Sequence, residues 1–444
     1  MKLISLNLLK LRKAITGEYK PIVSNFISLG IIQGSNFLLP LLTFPYIVRT
    51  VGVEHFGIIA LLQTIMSYFV IFTDYGFSMS ATKDVSVNRA DKKILTSIYS
   101  EVIVTKLLLC ALSFGILMLG LIIFPRFQPY WLLVLYSFFI VLGQVLQPNW
   151  FFQGIEQMKF LTYISLLSKA LYAIGIFTFI KNPTDFIYVN LILGVSSTIG
   201  GIISMVLVYR FFRIGLVLPT ILKIKNQFRN GWNIFISSVT ITVANNTNIL
   251  ILSLVASPLI LGYYSIAEKV FLLFRTFTAI LYQIIYPRVC MLAQKSFLHL
   301  ASFLKNIVKF ILISFLPLSL LLFFLADEIV YFLVGNYVTE TAYILRILSF
   351  GPLIAAFNIP VAQTMLAYHL NKTFAVVLSF GAFVNVACNF ILSYYFMAIG
   401  TAYSVLITET VITVLLYVVI YKYYPQYTYF INPEKRAELS GVVI

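Results

Sequence analysis

Apolar runs of about 20 residues, the length that crosses a bilayer's hydrocarbon core as a helix, recur along nearly the whole chain. They fall near residues 22 to 48, 55 to 77, 98 to 124, 129 to 147, 160 to 180, 186 to 209, 231 to 255, 263 to 286, 303 to 325, 342 to 366, 373 to 396 and 401 to 421. The pattern predicts an all-α integral membrane protein with twelve transmembrane helices. Prolines interrupt several of them: Pro40 and Pro45 in the first, Pro317 in the ninth, Gly351-Pro352 and Pro360 in the tenth. Each removes a backbone hydrogen bond and permits a bend. The longest segment between spans on the outer side, around Asp327 to Thr341, is itself partly apolar and too short for a folded domain.

Polar positions between the runs set the orientation. Basic residues crowd the segments on one side, whereas the loops on the other hold only Arg49, Arg126 and Lys181. The positive-inside rule then puts both termini in the cytoplasm. The first 21 residues carry Lys2, Lys10, Arg12, Lys13 and Lys20 among isolated leucines and read as a basic interfacial segment, not a cleavable signal.

A shift of 205 residues lays Phe56-Gly57 on Leu261-Gly262 and Gln63-Thr64 on Glu268-Lys269. Spans one to three then fall on seven to nine, which points to a duplicated six-helix unit. Six being even, both halves share an orientation, giving a pseudo-two-fold axis along the membrane normal and a central cleft between lobes. The division is 1–21 (basic segment), 22–209 (first lobe), 210–230 (cytoplasmic linker), 231–421 (second lobe) and 422–444 (cytoplasmic tail). The linker holds Arg210, Arg213, Lys223, Lys225 and Arg229 without an acid, which topology anchoring alone explains.

Composition narrows the function. With 60% hydrophobic and 10% charged residues the chain is polytopic. Its net charge of +16 does not indicate nucleic acid, because the basic residues sit between apolar runs and not along one polar face. Cys110, Cys290, Cys388, His55, His299 and His369 are too scattered for a disulfide framework or a zinc site, and no cofactor motif is present.

Six cations, Lys106, Lys169, Lys269, Arg275, Lys309 and Arg346, lie inside the apolar runs. A charge at mid-bilayer costs roughly 2.5–3.5 kcal/mol on insertion scales and faces a protein interior or wet cavity, so the surplus of positive charge points to an anionic, lipid-linked cargo. Arg275 is the first choice for a phosphate ligand, because guanidinium presents a fork of donors. It shares a helix face with Glu268, Thr278 and Tyr282, and Lys169 shares one with Thr162, Ser165 and Tyr172. An ion pair of either cation with Glu101, Glu268 or Glu409 is the structural alternative. Lys309 and Arg346 lie where they snorkel to the interface, and Lys106 and Lys269 are further ligand candidates. Asp74, close in sequence to Lys83 and Arg89, suits a cytoplasmic gate or a surface pair. Glu101, Glu268 and Glu409 are the acids placed to carry a coupling proton. Polar stripes run down the first span (Asn25, Ser28, Asn36, Thr43) and the seventh (Ser238, Thr242, Asn245, Asn246, Ser253, with Asn248 nearby). Such stripes either line a path for sugar hydroxyls or bond packed helices together.

The stretch Gly34-Ser-Asn-Phe-Leu-Leu-Pro40, then Pro45-Tyr-Ile-Val-Arg49, Gly52 and Phe56-Gly57 resembles the opening of Wzx-type O-antigen flippases. These form part of the polysaccharide transporter branch of the multidrug/oligosaccharidyl-lipid/polysaccharide exporter superfamily. Asp74-Tyr-Gly-Phe77, Gln147-Pro-Asn-Trp-Phe-Phe-Gln-Gly-Ile-Glu-Gln-Met158 and Leu261-Gly-Tyr-Tyr264 agree with it. The resemblance implies two six-helix lobes of MATE-like fold around a cleft. It implies transport of an undecaprenyl-diphosphate-linked oligosaccharide across the bacterial inner membrane, from the cytoplasmic to the periplasmic leaflet. It also implies a cationic lumen, to which Arg49, Lys169 and Arg275 are assigned, and a polysaccharide polymerase and a chain-length regulator as further partners. Pro148 to Met158 reads as a conformationally important inner loop. The rivals are a cation-coupled multidrug exporter, which would want more acids than cations, and a membrane-embedded glycan polymerase, which would need a large outer loop.

Overall fold

The computed structural model describes residue 34 and residues 39–423, and among them there is no strand. The helices are α1 (Leu39–Val51), α2 (Val53–Asp74), α3 (Phe77–Val87), α4 (Lys92–Ile123), α5 (Trp131–Val145), α6 (Asn149–Gly154), α7 (Met158–Phe179), α8 (Phe186–Phe212), α9 (Ile221–Val255), α10 (Pro258–Lys295), α11 (Phe297–Phe324), α12 (Ala326–Val334), α13 (Thr339–Leu348), α14 (Gly351–Ala367) and α15 (Asn371–Tyr423). Nine helical segments among the described residues are long and apolar enough to cross a membrane, and Leu39–Val51 and Asn246–Val255 are shorter apolar stretches. The basic segment 1–21, Asn25, Ser28, Asn36 and nearly all of the tail lie outside the described residues.

Punctuation follows local chemistry. Asp91 caps α4 by accepting from the amides of Lys93 (2.8 Å) and Ile94 (3.1 Å). Gly335, at φ 87°, closes α12. The segment expected as an outer loop at 327–341 is therefore largely helical: its apolar residues at helical spacing put Val330 and Leu333 into the core. The tenth span divides at Gly351-Pro352 into α13 and α14, as the proline pattern predicts, while Pro317 and Pro360 lie inside α11 and α14. α15 is two helices joined at Met397 (φ 50°, ψ −127°). Approaches step towards that point as in an antiparallel hairpin. Gly381 faces Ile412, Asn385 bonds Thr408, and a side chain on Gly400 would meet the Leu392 carbonyl oxygen at 2.0 Å. Spans eleven and twelve are thus distinct, joined by almost no loop.

The described residues fall into two compact units, one ending at Thr242 and the other beginning at Val243. α9 runs through this division, so the basic linker expected at 210–230 is only partly a loop, and from Ile221 onward it is the start of a long helix.

In the first unit α5 and α8 pack through small residues. A Cβ built on Gly194 would lie 2.5 Å from the Phe139 carbonyl carbon, and one on Gly143 would lie 2.6 Å from Ser197. Without a hydrophobic drive between helices in lipid, such close backbone approach supplies the association. Gly194→Ala is therefore expected to cost about 1–3 kcal/mol, read as a lower thermal midpoint in detergent. Gly115→Ala, where nothing lies within 4 Å, should show no loss. On α4, by contrast, Leu108, Leu112, Leu119 and Ile122 are exposed, the apolar face a bilayer would cover.

The Pro148–Met158 segment forms α6. Trp150, Phe151 and Phe152 are fully buried there, against Tyr99 and Phe212. Gly154 lets α6 press on Val85 of α3, where a Cβ would sit 2.6 Å from a Val85 methyl. The neighbouring Tyr75-Gly76 turn, at φ 46° and 81°, receives α9: Tyr75 stacks on Phe235 at 4.6 Å, and a Cβ on Gly76 would collide with Ile234 at 2.7 Å. Both motif segments thus serve packing at one end of the first unit.

The core of the second unit draws Ile285 and Val289 from α10, Leu304 and Ile311 from α11, Ala356 and Met365 from α14 and Leu416 from α15. Gly351 opens space for the Phe271 ring, which a Cβ would meet at 2.6 Å.

Candidate functional site

In the first unit Lys106 sits mid-way along α4 with 4% of its surface exposed. Its ammonium lies 3.3 Å from Asp74 at the end of α2. Asp74 also accepts from the Ser78 hydroxyl at 2.9 Å and the Ser78 amide at 3.3 Å. The pairing with Lys83 or Arg89 suggested by sequence proximity is corrected: Asp74 turns inward on the last turn of α2, and Arg89 instead pairs with Glu156 at 3.3 Å, both exposed. Lys106 is therefore tied to a carboxylate inside its own unit.

Glu101, one turn earlier on α4, lies 3.1 Å from Lys223 of α9 and accepts from Ser97 at 2.6 Å and Gln227 at 3.0 Å. Lys223 thus has a specific partner beyond its topological charge. Lys169 is half-buried on α7, and Arg49 is exposed near the end of α1. Thr43 of the first polar stripe is buried and donates to the Leu39 carbonyl of its own helix at 3.0 Å.

In the second unit the Arg275 guanidinium contacts Glu409 of the α15 hairpin at 2.9 Å, with its side chain 36% exposed and Glu409 9% exposed. Phe271 lies beneath it, 5.9 Å from ring centroid to guanidinium carbon. Behind Glu409, Asn358 of α14 accepts from Thr413 at 2.6 Å and donates to Glu409 at 3.5 Å. The carboxylate alternative for Arg275 is realised. A guanidinium has five N–H donors, and a carboxylate contact through one edge leaves others directed elsewhere. Thr278, on the same face, is buried and donates to the Arg275 carbonyl at 2.6 Å, while the Tyr282 carbonyl accepts from buried Gln363.

Glu268 is buried and accepts from the Tyr264 hydroxyl at 3.1 Å, with Lys269 half-buried beside it. In the seventh-span stripe, Thr242 donates to the Ser238 carbonyl at 2.9 Å and Ser253 to the Leu250 carbonyl at 2.6 Å. Asn246 is half-buried, and Asn245 lies on α9. Asn248 is an interhelical tie, its side-chain oxygen accepting from Asn389 at 3.2 Å. Arg346 bonds Asp327 and so clamps α13 to α12.

Several polar residues escape a reading based on stripes and charges. Asn385 and Asn389 on α15 are buried, and neither side-chain oxygen has a partner among the described residues. Gln63 donates to Asn190 at 3.0 Å, and Asn190 to Ser137 at 2.7 Å, deep in the first unit. Asn190, Asn385 and Asn389 each stand alone among apolar neighbours in sequence, and that isolation is the available signal. A buried amide must be bonded, so a solitary one in an apolar run marks an interhelical contact or a cavity.

The profile of a family described as "Polysaccharide biosynthesis protein" matches residues 22–293. The chain is 30% identical to an Escherichia coli (strain K12) protein provisionally described as an O-antigen transporter, over 88% of this chain and 95% of that one. It is 24% identical to a Shigella dysenteriae protein of the same description, over 87% and 97%. Among solved structures, lipid II flippase MurJ in an inward closed conformation superposes with a TM-score of 0.66 at 16% identity, covering 90% of this chain and 87% of that one. An inward-facing multidrug resistance MATE family transporter superposes with a TM-score of 0.65 at 14% identity, covering 89% and 97%. At those identities the likeness establishes the fold: an all-helical membrane transporter architecture of MurJ and MATE type.

Proposed function

Since this chain belongs to the polysaccharide biosynthesis protein family, we propose that it is the flippase for a surface-polysaccharide repeat unit. Its cargo is a polyprenyl-diphosphate-linked oligosaccharide, carried from the cytoplasmic to the periplasmic leaflet of a bacterial inner membrane with both chain termini cytoplasmic. Relatives described as O-antigen transporters support the polysaccharide class. The diphosphate rests on one observation above the others: a guanidinium in α10, mid-way along an apolar helix, held by Glu409 while its side chain stays 36% exposed.

Arg275 contacts the diphosphate, exchanging phosphate hydration for charge-assisted hydrogen bonds. Lys169, Lys269 and Arg49 add positive charge along the path, and the amides of Asn245 and Asn246 meet sugar hydroxyls. Lys106 acts through Asp74 as a structural cation. Glu268 and Glu409 are the acids available for coupling, and transport proceeds by alternating access without covalent chemistry. The released unit passes to a polymerase and a chain-length regulator.

In proteoliposomes carrying a fluorescent glycan on polyprenyl diphosphate, the protein should flip the probe and leave a phosphate-free analogue in place. Arg275→Ala should slow flipping roughly tenfold or more, the loss of one hydrogen bond to a charged group, with Arg275→Lys between the two. Arg275→Ala flipping at the unaltered rate would remove the arginine from the mechanism.

A further inference from the structure

The second unit holds a cavity of about 490 Å³ whose lining includes Lys305 and Lys309 of α11, Phe357 and Val361 of α14, and Tyr417 and Tyr421 of α15. That volume is within the range of small-molecule sites, roughly 300–1,000 Å³. The two lysines are exposed and one helical turn apart, so both ammonium groups overhang the same face. The rest of the lining is mostly apolar, and two of its hydroxyls are engaged: Thr364 donates to the Pro360 carbonyl at 2.7 Å and Tyr417 to the Phe357 carbonyl at 3.3 Å.

Charge around the cavity is mostly basic: Glu409, two turns from Tyr417 on α15, is already paired with Arg275 at 2.9 Å. Neither 269–326 nor 341–408 contains an Asp or Glu. Asp327, Glu328 and Glu340 lie beyond the far end of α11, on or beside α12 and α13. The end that carries the cavity, where α10 and α15 finish and α11 begins, holds Arg288, Lys295, Lys372 and Lys422 as well. A basic, apolar-walled pocket between membrane helices on the cytoplasmic side is the chemistry that recognises an anionic lipid headgroup.

We propose that this cavity seats an anionic phospholipid of the cytoplasmic leaflet, its phosphate on Lys305 and Lys309 and the start of one acyl chain on Phe357, Val361 and Ile420. A soluble anion would gain nothing from the apolar wall. The glycan-bearing carrier would find almost no free hydrogen-bonding groups for its sugars, and this separates the site from the transport path. Occupancy ties α11 to α14 and α15 at one end of the unit.

The test is native mass spectrometry of the whole protein, released from nanodiscs of mixed phosphatidylglycerol and phosphatidylcholine. The unaltered protein should retain phosphatidylglycerol selectively. Lys305→Gln/Lys309→Gln should bind it about 30-fold more weakly, the scale for removing two near-surface lysines, and Lys305→Arg/Lys309→Arg should keep it. Val361→Trp, which fills the cavity with both lysines intact, should also lose it. Undiminished retention by the glutamine variant, equal retention of phosphatidylcholine, or displacement of phosphatidylglycerol by equimolar polyprenyl diphosphate would each overturn the proposal. Melting curves without added lipid should match across the lysine variants, since both side chains are exposed.

Discussion

Asp74→Ala is expected to destabilise the first unit by about 3–5 kcal/mol, the scale for breaking a buried ion pair from one side. The cost arises from what is left behind. Lys106 keeps its ammonium in a site 4% exposed, on a helix packed among apolar neighbours, with the carboxylate 3.3 Å away gone. Ser78 loses the acceptor that fixes the entry to α3 at the Tyr75-Gly76 turn. Lys106→Met in the Asp74→Ala background should recover most of the loss, because removing both partners leaves no stranded charge and a side chain of similar volume. Thermal melting in detergent of the two single variants and the double variant supplies the cycle. A double variant no more stable than Asp74→Ala would show that the loss comes from the turn and not from the charge.

That prediction marks where sequence reading stops. Lys106 announces itself, because a lysine in an apolar run has few innocent explanations. Its partner does not: Asp74 is 32 positions away and the basic residues nearest it in sequence point elsewhere. The fold class was legible because lipid imposes a long apolar run on every spanning helix, and the brief turn at Met397 could be inferred from two such runs lying back to back. The helical character of 326–334 was not, since nine residues are too few to register as a span, although Val330 and Leu333 sit at inward spacing. The 205-residue shift supplies a more subtle case. Gln63 and Glu268 align under the 205-residue shift, and each proves to be part of a buried polar centre, Gln63 with Asn190 and Ser137, Glu268 with Tyr264. The alignment does not name the partners: Asn190 and Ser137 come from other helices, α8 and α5, whereas Tyr264 lies one turn from Glu268 on α10 itself.

The charge swap at Arg275 and Glu409 separates the structural role of this pair from a role in transport. Arg275→Glu alone sets two carboxylates where a 2.9 Å contact stood, a like-charge juxtaposition costing several kcal/mol. It should give protein that melts early and does not flip the diphosphate-linked probe. Arg275→Glu/Glu409→Arg restores opposite charges across the same gap, so the melting temperature should return most of the way. Flipping should not return with it. The guanidinium would then project from α15, beside Asn358 and Thr413, and no longer from α10 over Phe271. A fork of donors matches phosphate oxygens only from one direction. The expected residual defect is on the order of 10–100-fold, which corresponds to the roughly 1.5–3 kcal/mol of a hydrogen bond to a charged group. Full recovery of both melting and flipping would mean that the pair only holds α10 to α15. The diphosphate would then have to be met by other cations, with Lys169 and Lys269 the next to substitute.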